Sequence, residues 1–281
     1  MITRFAPSPT GPLHLGHAFS ALTAYDLAQR EGGTFLLRIE DIDRIRSRPE
    51  WEAQIFQDLA WLGIRWDQPV LRQSERLPDY QATLHDLWQR GLLFACSCNR
   101  KDIQAAASAP QGGAPVFGPD GVVYPGTCRD QRCSATLPDW PEGTALRLDM
   151  RAAVALTGDV SFDEVLASAQ PVMTAHAAIR EIGDVVVARR DMGTSYHLSV
   201  VLDDAAEGVT DVVRGEDLFQ ATFIHVVLQR LLGLPTPRYH HHSLVVDHTG
   251  KRLAKRDDAR AIALYRKEGA TPGDIRRMVG L

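Results

Sequence analysis

The segment Ala6-Pro7-Ser8-Pro9-Thr10-Gly11-Pro12 constrains this chain more than any other. Three prolines and a glycine in seven residues forbid regular structure there. The segment stands between a short apolar run, Ile2–Phe5, and a helical pattern over Leu13–Arg30. Phe35–Ile39 then reads as a buried strand ending in Glu40-Asp41-Ile42-Asp43. Strand, loop, crossover helix and strand within about forty residues make a right-handed βαβ unit. Thr10 or Gly11 is the expected cap of the helix, with Pro12 near its first position.

The rest of the 281 residues extends this α/β start. Helical patterns cover Glu52–Leu62, Tyr80–Arg90 and Phe219–Leu232, and strand patterns cover Thr144–Leu148, Ile182–Arg189, Tyr196–Leu202 and Thr210–Val213. Six of the sixteen prolines and five glycines crowd between Pro110 and Pro141, a stretch that cannot hold a core unaided. The expected organisation is therefore a split domain: 1–92 as its first half, 93–188 as an inserted subdomain, and 189–281 as its second half.

Charge and cysteine content narrow the function classes. A hydrophobic share of 44% and a charged share of 23% describe a folded chain, and no apolar run reaches membrane-spanning length. The net charge of −4 argues against a surface coated for nucleic acid, but the average is uneven. From Gly250 onward nine Lys/Arg face four acidic residues, a local +5 against −9 elsewhere. Four cysteines do not make a disulfide scaffold in a chain of this length, so a reducing, cytoplasmic setting is expected. Cys96-Ser97-Cys98 with Cys128 and Cys133 is a plausible tetrahedral zinc set, although reduced thiols fit the spacing too. Zinc would supply the closure that the Pro/Gly-rich stretch lacks.

His14-Leu15-Gly16-His17 opens the first helix. Two histidines three apart share a face of a turn whose unpaired N–H groups and dipole attract phosphate. Gly16 lets a flat ring or a phosphate approach the backbone. Arg4 to His17 as a whole resembles the "HIGH" region of class I aminoacyl-tRNA synthetases, within their glutamyl branch. Three further blocks carry the resemblance in order: Arg38-Ile39-Glu40-Asp41-Ile42-Asp43; Tyr196-His197 with Gly208 to Asp217; and Arg252-Leu253-Ala254-Lys255-Arg256, similar to the "KMSKS" loop.

The resemblance implies a Rossmann-like class I catalytic core with a zinc-bearing insertion and a short helical C-terminal segment that contacts an RNA stem. It implies a ligase that joins glutamate to ATP to form glutamyl-adenylate, with Mg²⁺ on the phosphates. His14, His17 and Lys255 would be catalytic. Arg4, Ser8, Glu40, Tyr196 and Arg214 would bind glutamate, guanidinium forks suiting its carboxylates and Glu40 its ammonium. Thr10, His14, Gly16, His17, Asp217, Arg252 and Lys255 would bind ATP. Cys96, Cys98, Tyr124 and Cys128 would hold one structural zinc, with Cys133 able to displace Tyr124. Two departures stand out: Val200, where relatives that charge ordinary tRNA often carry asparagine, implies a weaker or differently ordered glutamate site, and Arg252 and Ala254 replace a lysine and a serine of the loop.

Only 25 residues follow Arg256, too few for the helical anticodon-binding region of full glutamyl enzymes. The expectation is accordingly a short glutamyl-type paralogue, a monomer, that activates glutamate without tRNA. It would then transfer glutamate to queuosine at the wobble position of a tRNA(Asp) anticodon stem-loop. The competing readings are a truncated enzyme that charges the acceptor end, and a degenerate core acting as an RNA-binding or nucleotide-sensing regulator.

Overall fold

The structure, a computed structural model, describes residues 1–66, 69–108, 114–129, 139–245 and 260–281. The chain begins with β1 (Ile2–Phe5), α1 (Leu15–Arg30), β2 (Thr34–Ile39), α2 (Pro49–Trp61), β3 (Leu71–Arg72) and α3 (Leu77–Gln89). The middle follows with β4 (Leu93–Cys96), α4 (Arg100–Ala107), β5 (Phe117–Gly118), β6 (Gly121–Val122), β7 (Ala145–Leu148), α5 (Met150–Thr157), β8 (Val160–Ser161), β9 (Val172–Met173), α6 (Ala175–Ala177) and β10 (Val186–Ala188). The last third comprises α7 (Tyr196–Ala206), β11 (Asp211–Gly215), α8 (Ala221–Leu232), β12 (Arg238–His242), α9 (Ile262–Lys267) and α10 (Pro272–Val279).

Two parallel sheets form the catalytic layer. β1 pairs with β2 and β2 with β3, while β11 pairs with β12. β11 lies beside β1, where the Thr210 amide donates to the Ile2 carbonyl at 3.0 Å and the Ile2 amide to Thr210 Oγ1 at 2.8 Å. Crossover helices run outward from this seam on both sides, which makes it a topological switch point, the place where α/β sheets bind ligands. The fold is the expected Rossmann-like α/β core.

Packing follows from composition. α1 presents Ala18, Ala21, Ala24 and Ala28, all fully buried, so its backbone approaches β1 closely, while Ile262 and Ile275 join the same apolar cluster from the C-terminal helices. α8 is apolar nearly all round and is buried from Ala221 to Gln229, as a central helix must be. The antiparallel sheet β10-β7-β4 falls wholly within 93–188, the span we propose as an inserted unit, yet its core is continuous with α7 and α8.

Three local expectations are corrected. Residues 196–202 form the start of α7, not a strand: Ser195 caps the helix by accepting from the Leu198 amide, and burial around α7 overrides the β-preference of Val200 and Val201. Strand pattern over Ile182–Arg189 survives only as β10. Residues 178–182 form a π-helical turn that Gly183 ends at φ +69°, and Asp184 turns inward to accept from the Met150 amide. The cap of α1 is His14 itself, because the chain bends at residues 9–11 without entering the helix and His17 Nδ1 accepts from the His14 amide at 3.2 Å.

Candidate active site

A cleft of about 460 Å³ opens at the seam between β1 and β11. The loop after β1 forms one wall because the Pro7 carbonyl accepts from the Glu40 amide and the Pro9 carbonyl from the Arg48 amide, each at 3.0 Å. That lacing brings Ser8 and Thr10 beside Glu40 at the end of β2. Arg4, Ser8, Thr10, His14, Gly16, His17, Glu40, Tyr196, Arg214 and Asp217 all line the cleft. Lys255 and Arg252 lie outside the described residues, as does Cys133. Val200 does not line the cleft. It is 1% exposed within the apolar core.

The two arginines are held differently. Arg4 donates from Nε and one terminal nitrogen to the two carboxylate oxygens of Asp204, at 3.0 and 3.3 Å, leaving its other terminal nitrogen for the cleft. Asp204 also accepts from Arg38 at 2.8 Å, and Arg38, fully buried, reaches Glu207 at 2.8 Å and Glu40 at 3.5 Å. Burial favours a neutral Asp204, but Arg4 and Arg38 outweigh it and hold the carboxyl below its usual range. Glu40 is balanced the other way: burial pushes its carboxyl up to about 7, against the pull of Arg38 and Arg4.

Arg214, 5% exposed, has no carboxylate partner among its hydrogen bonds. Its Nε donates to His241 at 3.2 Å, one terminal nitrogen to His225 at 3.1 Å and the other to Thr222. A guanidinium has five N–H donors, so one proton on each terminal nitrogen remains for a ligand, the fork that a carboxylate accepts. Burial, then the charge of Arg214, lowers the basicity of His225 and His241.

The other end of the cleft is built on α1. The rings of His14 and His17 lie with centroids 3.7 Å apart and planes tilted by 31°, and Ala261 bridges back to His14 from the C-terminal segment. Ser20, one turn on, contacts His242 at 2.8 Å. Sequence reasoning missed Asp204, Thr222, His225, His241 and His242. The run His240-His241-His242 at the end of a strand, and the adjacent acids Asp203-Asp204 in an apolar stretch, were the available signals.

Away from this cleft, Cys96, Cys98 and Cys128 converge, with sulfurs all within 4.8 Å of one another. The Tyr124 hydroxyl lies 3.5 Å from the Cys96 sulfur and 3.7 Å from that of Cys98, and accepts from the Cys128 amide at 2.8 Å. A tetrahedral zinc with Zn–S near 2.3 Å sets its sulfurs roughly 3.8 Å apart. Three thiols and a phenol at these separations suit such an ion.

Strands that diverge from a seam, with a histidine-bearing helix turn on one side and arginines at the strand ends, define the catalytic core of a class I synthetase. The chain belongs to that family: the model for "tRNA synthetases class I (E and Q), catalytic domain" matches residues 1–281. It is 64% identical over 286 residues to the glutamyl-Q tRNA(Asp) synthetase of Rhodobacter capsulatus, covering 100% of both chains. The protein of that name from Nocardia farcinica is 41% identical over 97% of this chain and 81% of its own. Among solved structures, a glutamate tRNA ligase from Elizabethkingia meningosepticum in complex with its amino acid matches with a TM-score of 0.73 and 26% identity. That match covers 97% of this chain and 58% of the other, so the chain spans just over half of that relative's length. No helix among the described residues is long and apolar enough to cross a membrane.

Proposed function

We propose that this ligase activates glutamate with ATP in the absence of tRNA and then transfers the glutamyl group to queuosine at the wobble position of tRNA(Asp). The observation that carries the first half is the convergence of Arg4, Arg214 and Glu40 on one cleft with His14 and His17. Two guanidiniums suit the two carboxylates of glutamate and Glu40 suits its ammonium, while Ser8 and Tyr196 add hydroxyls. The second half is supported by similarity over 100% and 97% of this chain to relatives named glutamyl-Q tRNA(Asp) synthetase.

The α-carboxylate would attack the α-phosphorus of ATP in line, forming the acyl-phosphate bond as the bond to pyrophosphate breaks. His14 and His17 would donate to phosphoryl oxygens as charge builds there, so catalysis rests on positioning and electrostatics. Thr10, Gly16 and Asp217 would complete the ATP wall, with Arg252 and Lys255 on the following loop. Mg²⁺ would enter with ATP. In the second step a hydroxyl of queuosine's cyclopentenediol ring would attack the glutamyl carbonyl, expelling AMP. Zinc, held by Cys96, Cys98, Tyr124 and Cys128, would close the insertion and has no part in either step.

Labelled glutamate with tRNA(Asp) carrying or lacking queuosine tests the proposal. Glutamate-dependent ATP–pyrophosphate exchange without RNA, and labelling of the queuosine-bearing tRNA alone, are expected. Labelling of both tRNAs equally, or of tRNA(Glu) only, would assign the chain to acceptor-end charging, and no exchange under any condition would leave a regulatory core.

A further inference from the structure

Arg214 is an obligatory donor, and that fixes the protonation of everything behind it. Because its terminal nitrogen meets His225 Nδ1, that nitrogen must accept, and His225 carries its proton on Nε2. His225 Nε2 lies 3.0 Å from His197 Nδ1, which must therefore accept in turn. His197 then holds its own proton on Nε2, and this atom is 2.9 Å from both carboxylate oxygens of Asp120. The line Arg214–His225–His197–Asp120 thus runs in one direction through two neutral imidazoles. A second line is shorter: Arg214 Nε donates to His241 Nε2, and His241 Nδ1 donates to Glu164. The His241 amide also reaches Glu164, at 3.2 Å.

Both terminal carboxylates come from the same part of the chain. Asp120 sits at the tip of the β5–β6 hairpin, between Gly118 and Gly121. Glu164 lies just after β8, in a segment that bridges to Tyr239 on β12. The hairpin is seated by close approach, for a Cβ at Gly118 would stand 2.3 Å from the Glu181 carbonyl oxygen. The core therefore holds its arginine with three residues, Thr222 and His225 from α8 and His241 from β12, while the span between β4 and β10 supplies the anions that orient the two imidazoles.

We infer that Asp120 and Glu164 are positioning residues for the substrate carboxylate: acting through His197, His225 and His241, they set the fork of Arg214, so the inserted span tunes the amino-acid pocket without touching the ligand. This rests on the reading that the cleft takes glutamate. The geometry favours it over a purely structural role because each imidazole spends both nitrogens on the line. An anion at the far end also strengthens imidazole acceptors toward the guanidinium, leaving the arginine charge uncancelled at the ligand.

Asp120→Ala in the full chain tests the inference, since the Asp120 side chain is 46% exposed and its loss opens no core cavity. ATP–pyrophosphate exchange with glutamate and ATP varied separately should give a glutamate KM about tenfold higher, with the ATP KM and melting temperature unchanged. Asp120→Asn, whose uncharged amide oxygen still accepts from His197 Nε2, should recover most of the loss in glutamate KM. An unchanged glutamate KM in Asp120→Ala, or a parallel rise for both substrates, overturns the inference. Imidazole ¹⁵N shifts supply a readout independent of turnover: wild type should show His197 and His225 as neutral Nε2–H tautomers, and Asp120→Ala should redistribute the His197 proton. If wild type exchanges no glutamate, the reading of the cleft fails while these shifts still decide the relay, and a His197 signal indifferent to Asp120 sinks it.

Discussion

The two arginines that flank the cleft present the same group on opposite electrostatic terms. Arg4, at the end of β1, shares Asp204 with the buried Arg38, so its charge is answered in place by a carboxylate. Arg214, near the end of β11, is held by two imidazoles and a hydroxyl, with carboxylates only at the far ends. The first arrangement stabilises the fold around a fixed cation, while the second keeps a cation fully available to an incoming anion. The difference teaches that one strand end divides its guanidinium between scaffold and cleft, while the other leaves its charge unanswered by any adjacent carboxylate.

The largest effect should follow from removing the available cation. Arg214→Ala loses two charge-assisted hydrogen bonds, each worth about 2 kcal/mol, and should lower kcat/KM for glutamate in the exchange assay on the order of 10³-fold. A loss under tenfold would erase the distinction between the two arginines. On the other side, Asp204→Asn leaves Arg4 and Arg38 without their shared anion. Breaking a buried pair in this way should cost about 3 kcal/mol in urea unfolding. Stability equal to wild type would mean that Glu40 and Glu207 suffice for both guanidiniums.

The smallest effect is a pH dependence at Glu40, whose carboxyl stands near 7. An ammonium needs the ionised carboxylate, so kcat/KM for glutamate should rise about tenfold between pH 6 and 8 and level off above. Because this pKa lies above that of the unfolded chain, its proton favours the folded state at low pH, and that contribution fades as pH rises toward 7. Glu40→Gln should abolish the rising limb, and a limb that persists in this variant would assign it to another group.

Much of this was legible in the sequence, for physical reasons. Proline-rich loop, amphipathic periods and a strand of five apolar-to-basic residues announced the βαβ unit, since they act locally. The cleft residues from Arg4 to Glu40 were readable because short motifs at strand ends map directly onto a switch point. Strand-like Tyr196–Leu202 misled because α7 is buried on most of its surface, which hides the helical period. His225 and Asp120 were invisible for a different reason: they meet through His197 across 105 residues, and no local pattern records a hydrogen bond between distant segments. Asp204 was hidden likewise, its partners lying 200 and 166 residues away.

The seam between β1 and β11 has a metrical consequence. β1 and β2 are joined through four residue pairs and β11 and β12 through five, whereas the described contact of β1 with β11 rests on Thr210. Arg4 and Arg214 therefore stand on strands of two different sheets, on either side of a join without a strand ladder. The spacing of the two guanidiniums is kept by a threonine latch and by side-chain packing, so the reach of the cleft and the stiffness of the seam are one property of this molecule.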